Sequence, residues 1–91
     1  MGAAEKVAIV TGAGSGIGKA VALALLQDGY AVALAGRRRE RLEAVVAEVP
    51  EASARTLIVA ADVGDPSAVK GLFEQTRTAF GRLDLLFNNA G

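Results

Sequence analysis

Four short apolar segments alternate along the chain with longer segments in which apolar residues recur every three or four positions. The short segments occupy residues 6–11, 30–35, 56–61 and 83–87. Apolar runs of this length, without alternating polar residues, are typical of strands that are buried on both faces of a parallel sheet. The pattern therefore predicts four β-strands separated by helices.

The segment between the first two strands predicts a helix that begins at Gly16 and stops at Gly29. Gly29 stands where a helix commonly needs a residue in the left-handed conformation to end it. The helical period assigns the core-facing side of this helix to four residues: Ile17, Val21, Ala24 and Leu25. We expect these side chains to pack against the sheet.

Two further helices are predicted, each with an identifiable end. The second has a helical period at four apolar positions: Leu42, Val45, Val46 and Val49. Pro50 ends it, because proline lacks an N–H donor and does not fit inside a helical turn. The third has Asp65 as its N-cap, Pro66 as its first helical residue and Gly81 as its stop. Its predicted apolar face comprises Val69, Leu72, Phe73, Thr76 and Phe80.

This order of elements predicts an α/β fold, a Rossmann-type doubly wound parallel sheet with helices on both faces. We expect residues 1–91 to form one partial sheet with the spatial strand order 3-2-1-4. Sheets of this kind bind ligands in the crevice where the strand order reverses, which here lies between the first and fourth strands. A binding site is therefore expected at the carboxyl end of the first strand.

Charge and residue usage narrow the classes of partner and chemistry. Ten Lys and Arg residues balance ten Asp and Glu residues, so no net charge favours nucleic acid or an anionic membrane. The sequence has no cysteine and no histidine, which excludes disulfides, thiolate chemistry and histidine-ligated metals within it. The N-terminus lacks the apolar core of a signal peptide, so we expect a cytoplasmic protein with a small-molecule partner and no metal.

A glycine cluster lies where the first strand becomes the first helix. Four alternating glycines, Gly12, Gly14, Gly16 and Gly18, stand within the eight residues 11–18. The free N–H groups and positive end of a helix at this position suit a pyrophosphate. A tight turn alone would need one or two glycines, so the cluster and its strand-to-helix context predict a phosphate-binding loop.

The cluster resembles the cofactor fingerprint of the short-chain dehydrogenase/reductase family, Thr-Gly-x-x-x-Gly-x-Gly. The matching residues are Thr11, Gly12, Gly16 and Gly18. Two further motifs of that family follow in order after the third and fourth strands: Asp62-Val63 and Asn88-Asn89-Ala90-Gly91. The resemblance covers the whole chain and implies an oxidoreductase of the classical type, active on a carbonyl or alcohol substrate and homo-oligomeric when complete.

The resemblance also implies roles for individual residues. The Asp62 carboxylate would accept from the adenine amino group, and the Val63 N–H would meet the adenine ring. Asn88 would steady the sheet, whereas 89–91 would lie along the cofactor. The predicted dinucleotide contacts are Gly12, Gly14, Ser15, Gly16, Ile17, Gly18, Arg37, Arg38, Asp62, Val63, Asn89, Ala90 and Gly91.

The end of the second strand bears on which dinucleotide is bound. NAD-binding domains usually carry Asp or Glu there, about 20 residues past the glycines, to bind the ribose hydroxyls. Here Gly36 is followed by Arg37 and Arg38, whose guanidinium groups suit a 2′-phosphate. Ser15 departs from the basic residue that many NADP enzymes of the family carry in the glycine loop. NADP(H) is favoured on these grounds, and NAD(H) stays open.

The catalytic residues that the resemblance implies are an active-site Ser and a Tyr-x-x-x-Lys motif, and none can be placed in this sequence. Tyr30 is the single tyrosine, and Leu34 stands four residues later where lysine would be required. Since a complete domain of the family is more than twice this length, we expect a segment of a longer polypeptide. The alternatives are a non-catalytic nucleotide-binding module and, less favoured because Gly36 offers no carboxylate for the ribose, a methyltransferase-like domain.

Overall fold

The structure is a computed structural model that describes residues 6–89, and its strands form one parallel sheet. The strands are β1 (Val7–Thr11), β2 (Ala31–Gly36), β3 (Thr56–Ala60) and β4 (Leu85–Phe87). Their spatial order is β3-β2-β1-β4, and all three neighbouring pairs are parallel. The predicted fold class and strand order are confirmed, with strand ends that differ from the predicted ones by one or two residues.

Three α-helices connect the strands: α1 (Gly16–Gln27), α2 (Arg39–Ala47) and α3 (Pro66–Phe80). The two glycines among the predicted stop residues adopt positive φ angles, +92° at Gly29 and +83° at Gly81. Asp65 caps α3, because its Oδ1 accepts from the Ser67 N–H at 2.9 Å. These ends fix where each strand begins, so they determine which residues reach the carboxyl edge of the sheet.

The core is divided between the two faces of the sheet. Because successive strand residues point to opposite faces, β2 directs Val32 and Leu34 towards α1 and α2, and Ala33 and Ala35 towards α3. Every residue from 7 to 10 and from 31 to 35 is fully buried. β1 and β2 therefore form the interior of the molecule, as their uniform apolar sequences predicted.

The predicted core face of α1 is partly wrong. Gly18, Ala22 and Leu26 are buried on α1, whereas Ile17 is 68% exposed and Ala24 is also exposed. Val21 and Leu25, which were predicted to face the core, pack against it while remaining half-buried. Most of α1 is apolar on every side, so the helical period does not single out one face. The side of α1 that faces the core is set by the close contact of Gly18 with the Gly12 carbonyl, just after β1.

A short 3₁₀ helix over Pro50–Arg55 was not predicted. α2 ends at Ala47, and Val49 is buried after the helix rather than within it. The Arg55 Nη1 donates to the Tyr30 carbonyl at 2.6 Å and to the Leu26 carbonyl at 3.2 Å. This guanidinium therefore joins the 3₁₀ helix to the end of α1 and the start of β2.

β4 begins two residues later than predicted, and Asp84 precedes it. The Asp84 Oδ2 accepts from the Val7 N–H at 2.8 Å, and the Asp84 N–H donates to the Val7 carbonyl at 2.8 Å. Arg82 Nη2 donates to Asp84 Oδ1 at 2.6 Å. The Arg82 hydrogen bond, followed by that of Val7, lowers the pKa of Asp84 from its ordinary 3.8. The aspartate thus anchors β4 beside the start of β1.

Candidate functional site

A cleft of about 470 Å³ opens at the carboxyl ends of β1, β2 and β3. Four parts of the chain form it: the loop before α1, the turn from β2 into α2, the segment after β3, and Asn89 after β4. The lining residues are Gly12, Gly14, Ser15, Gly36, Arg37, Arg38, Arg41, Leu42, Ala61, Asp62, Val63, Gly64 and Asn89. Its volume is within the range of small-molecule sites, roughly 300–1,000 Å³, and it lies at the predicted edge of the sheet.

The glycine loop is fixed from two sides. The Ala13 N–H donates to the Ala35 carbonyl at 3.1 Å, which holds the loop against β2. A Cβ added to Gly18 would lie 2.1 Å from the Gly12 carbonyl oxygen, so α1 can approach the loop only because residue 18 has no side chain. The loop therefore keeps its shape through backbone contacts.

The start of α1 offers hydrogen-bond donors beside the cleft. Ser15 is the N-cap residue, but within the described residues its side chain makes no capping hydrogen bond. The first N–H groups of a helix have no partner inside the helix, and together with the helix dipole they favour an anion. Ser15 lines the cleft with an exposed side chain, so its hydroxyl lies at the site, and the first turn of α1 begins beside it.

Three predicted contacts lie beside the cleft rather than on its lining. Gly16 is exposed with a φ of +60°, and a Cβ there would face open space. Ile17 projects into solvent next to it, and Gly18 is buried in the contact with Gly12. Gly18 therefore supports the loop by packing against it, while Gly16 and Ile17 border the opening.

The Asp62 carboxylate is oriented by two contacts, both through Oδ1. The Gly64 N–H donates to it at 2.9 Å, and the Arg37 Nη2 lies 3.6 Å away. The two side chains are 55% and 79% exposed, so this ion pair adds at most about 1 kcal/mol to stability. Its importance is geometric, because it joins the end of β2 to the segment after β3. Val63 follows on the cleft wall, half-buried.

Positive charge dominates the cleft. Arg37, Arg38 and Arg41 line it, and Asp62 is the one carboxylate among the lining residues of the described chain. Gly36 occupies the strand-end position where an acidic residue would repel a phosphate. The cleft is therefore suited to a ligand with more than one negative charge.

The segment after β4 is attached to β1 through one side chain. The buried Thr11 hydroxyl accepts from the Asn89 N–H at 2.8 Å and lies 3.1 Å from the Asn88 Oδ1, to which it can donate. Asn89 thereby reaches the cleft and touches the glycine loop. Ala90 and Gly91, which were also predicted to contact the cofactor, lie outside the described residues.

Sequence reasoning missed five residues of the lining: Gly36, Arg41, Leu42, Ala61 and Gly64. Gly36, Ala61 and Gly64 could have been found, because they flank predicted contacts at strand ends. Arg41 and Leu42 belong to α2, and the packing of α2 against Gly36 and Gly14 brings them to the cleft. Within residues 6–89, no cluster of three metal-ligating side chains occurs, and no helix has the length and apolarity to cross a membrane.

Comparison with known proteins identifies the family. Residues 6–91 match the family model described as short chain dehydrogenase. The chain belongs to the short-chain dehydrogenase family. This short-chain dehydrogenase sequence is 45% identical over 87 residues to a 3beta-hydroxysteroid dehydrogenase of Mediterraneibacter gnavus. The match covers 96% of the chain and 32% of that relative, so the chain spans about a third of its length.

Solved structures of the family superpose closely on this short-chain dehydrogenase chain. L-Sorbose reductase from Gluconobacter frateurii, complexed with NADPH and L-sorbose, is 39% identical to this chain, with a TM-score of 0.88. The match covers 100% of this chain and 35% of the sorbose reductase chain. A 3-ketoacyl-(acyl-carrier-protein) reductase from Brucella melitensis, complexed with NADH, is 35% identical with a TM-score of 0.81. That match covers 90% of this chain and 32% of the reductase.

Proposed function

We propose that this chain supplies the dinucleotide-binding part of an NAD(P)-dependent oxidoreductase that transfers hydride between a nicotinamide cofactor and a carbonyl or alcohol substrate. One observation carries the proposal: the cleft combines a glycine loop, the uncapped start of α1 and an oriented carboxylate at adjacent strand ends. The cleft lies over the carboxyl ends of β1, β2 and β3 and reaches Asn89 after β4, so it adjoins the point of strand-order reversal where doubly wound sheets bind dinucleotides.

Each part of the cleft suits one part of a dinucleotide. The start of α1, with Ser15, would bind the pyrophosphate through N–H groups and a hydroxyl. Asp62 would accept from the adenine amino group, and the Val63 N–H would meet the ring. Asn89, Ala90 and Gly91 would lie along the remaining part of the dinucleotide. When bound, the cofactor would supply the hydride chemistry through its nicotinamide, and these residues would hold the rest of the dinucleotide.

NADP(H) is the favoured cofactor, with NAD(H) as the alternative. The related structures with bound cofactor include one with NADPH and one with NADH, so relatedness leaves the choice open. The residues of this chain favour the phosphorylated form, because Arg37 and Arg38 line the cleft beside Gly36. A hydrogen bond to a charged group contributes roughly 1.5–3 kcal/mol, which corresponds to about a ten- to hundredfold preference.

Calorimetric titration of the protein with NADPH and NADH tests the proposal. We expect saturable binding of both, with NADPH bound more tightly. Replacing Asp62 with Ala should weaken both cofactors, because both carry adenine. Glu74→Ala, an exposed change on α3 far from the cleft, is the control and should alter neither affinity. A folded protein that binds neither cofactor would refute the dinucleotide site.

The second candidate is a nucleotide-binding module without catalysis. The intact mass of the natural gene product separates the two candidates. A mass more than twice the 9.3 kDa of this sequence supports the oxidoreductase, and its remaining part should contain the Tyr-x-x-x-Lys motif. A mass of 9.3 kDa together with no turnover supports the module, whereas turnover by the purified chain rejects it.

A further inference from the structure

The arginines near the cleft differ in whether a carboxylate neutralises them. Arg37 lies 3.6 Å from Asp62, and Arg39, which is not part of the lining, lies 3.9 Å from Glu43. Among residues 6–89, no carboxylate lies within ion-pair distance of Arg38 or Arg41, and both residues line the cleft. Arg41 therefore brings a positive charge to the site that the described chain does not compensate.

Rigid contacts determine where Arg41 stands. It lies in the first turn of α2, where its N–H donates to the Arg38 carbonyl at 3.1 Å. The next residue, Leu42, is fully buried, and a Cβ added to Gly36 would lie 3.4 Å from its Cδ2. This packing of Leu42 against the β2 end fixes α2 and, with it, the backbone of Arg41.

The stem of Arg41 crosses the glycine loop at Gly14. A Cβ added to Gly14 would lie 3.0 Å from the Arg41 Cβ and 3.8 Å from its Cδ. The first distance is shorter than an ordinary van der Waals contact, so a side chain at residue 14 would push Arg41 away from the loop. The absence of a side chain at Gly14 thus allows this arginine to lie between α2 and the phosphate-binding loop.

We propose that Arg41 is a specificity-determining residue that binds the 2′-phosphate of the adenosine ribose, and that the absence of a side chain at Gly14 leaves the space that Arg41 needs. This inference rests on the proposed dinucleotide function and adds a residue that the sequence patterns did not indicate. A guanidinium can bind a phosphate through two parallel hydrogen bonds. Arg37 shares its guanidinium with Asp62, whereas Arg41 has no such competitor among the described residues.

The test compares 2′,5′-ADP with 5′-AMP, which differ only in the 2′-phosphate, on the protein as its gene encodes it. Calorimetry should show that Arg41→Gln weakens 2′,5′-ADP about tenfold and leaves 5′-AMP unchanged. Arg41→Lys should retain part of the preference for 2′,5′-ADP, because lysine keeps the positive charge but cannot form the two parallel hydrogen bonds of a guanidinium. Gly14→Ala should reduce the preference while every charge remains.

Arg39→Gln is the matched control, because it removes the same charge two positions earlier on α2, from a residue outside the cleft lining. It should leave the ratio of the two affinities within twofold of the wild type. The inference is overturned if Arg41→Gln weakens both ligands equally, which indicates a structural role, or changes neither. It is also overturned if Arg39→Gln has the same effect as Arg41→Gln, because that result would indicate a general electrostatic effect of positive charge on α2. A folded wild type that binds neither ligand overturns the proposed function and this inference together.

Discussion

The Thr11 hydroxyl accepts the Asn89 N–H at 2.8 Å, across 78 positions of the sequence. Through this bond the end of the central strand positions the segment that follows β4. Both groups lie next to the cleft, and the Thr11 side chain is buried. The threonine of the glycine motif is therefore a connection between two parts of the site, in addition to being the last residue of β1.

Thr11→Val tests this connection. Valine has nearly the same shape but leaves the Asn89 N–H without its partner, so we expect a loss of about 1–3 kcal/mol in the free energy of unfolding. Dinucleotide affinity should fall as well, because Asn89 is no longer held. Urea unfolding and calorimetry measure the two effects. Thr11→Ser keeps the hydroxyl and should stay close to the wild type; equal losses in both variants would contradict the assignment.

Gly18→Ala should be strongly destabilising. The added methyl group would lie 2.1 Å from the Gly12 carbonyl oxygen, which belongs to the backbone and cannot rotate away. Overpacking of this kind costs roughly 1–3 kcal/mol and occasionally more.

The control for this change is Gly71→Ala within α3, where a Cβ would meet nothing within 4 Å. Alanine is the better helix former by roughly 0.5–1 kcal/mol, so this variant should be more stable than the wild type. Urea midpoints that move in the same direction for both variants would show that the contact of α1 with the loop is not tight.

Arg37→Asp should shift the cofactor preference towards NAD. The change removes a guanidinium from the 2′-phosphate region and places a second carboxylate opposite Asp62, whose Oδ1 is now 3.6 Å from the arginine. We expect the ratio of NADPH to NADH affinity to fall by about ten- to hundredfold. Arg39→Asp makes the same change of charge outside the cleft lining and should leave the ratio unchanged. An unchanged ratio in Arg37→Asp would remove Arg37 from the site.

Asp84 should make stability depend on pH in the acid range. Its pKa is lowered from 3.8 in the folded protein, first by the Arg82 hydrogen bond and then by that of Val7. A lowered folded pKa means that the stabilisation is fully present well above pH 3.8 and is lost as the pH falls through the folded value.

Unfolding midpoints measured from neutral pH down to the acid range test this dependence. Asp84→Asn should be less stable than the wild type at neutral pH, and the difference should shrink on acidification. Arg82→Gln should bring the pKa of Asp84 back towards its ordinary value, so this variant should lose less stability than the wild type as the pH falls. A constant difference between wild type and Asp84→Asn at all pH values would show that the carboxylate does not titrate differently in the folded state.

Local patterns were sufficient for the order of the elements but not for how the helices rest on the sheet. The strand order followed from four apolar runs and from chain connectivity, which need only short-range information. The core face of α1 did not follow, because apolar residues surround most of that helix and the decisive contact joins Gly18 to Gly12. A contact between two glycines has no hydrophobic period, so sequence periodicity cannot indicate it.

Only part of the candidate site could be predicted from the sequence. Residues at strand ends, such as Arg37 and Asp62, could be assigned because parallel strands end at one edge of the sheet. Arg41 could not, since its distance from the cleft depends on the packing of Leu42 under Gly36 and on the open space at Gly14. The 3₁₀ helix was missed because Pro50 was interpreted as the end of the second helix, whereas α2 already ends at Ala47 and Pro50 begins the 3₁₀ helix.

The complete burial of residues 7–10 and 31–35 has a consequence for amide hydrogen exchange. Exchange at these positions requires the two central strands to separate, so their rates should report the global unfolding equilibrium. The amides around the cleft lie in loops and helix starts, where brief local openings are enough. Deuterium uptake that slows only in those loops when a ligand is added would therefore measure occupancy of the cleft, with β1 and β2 as an internal reference.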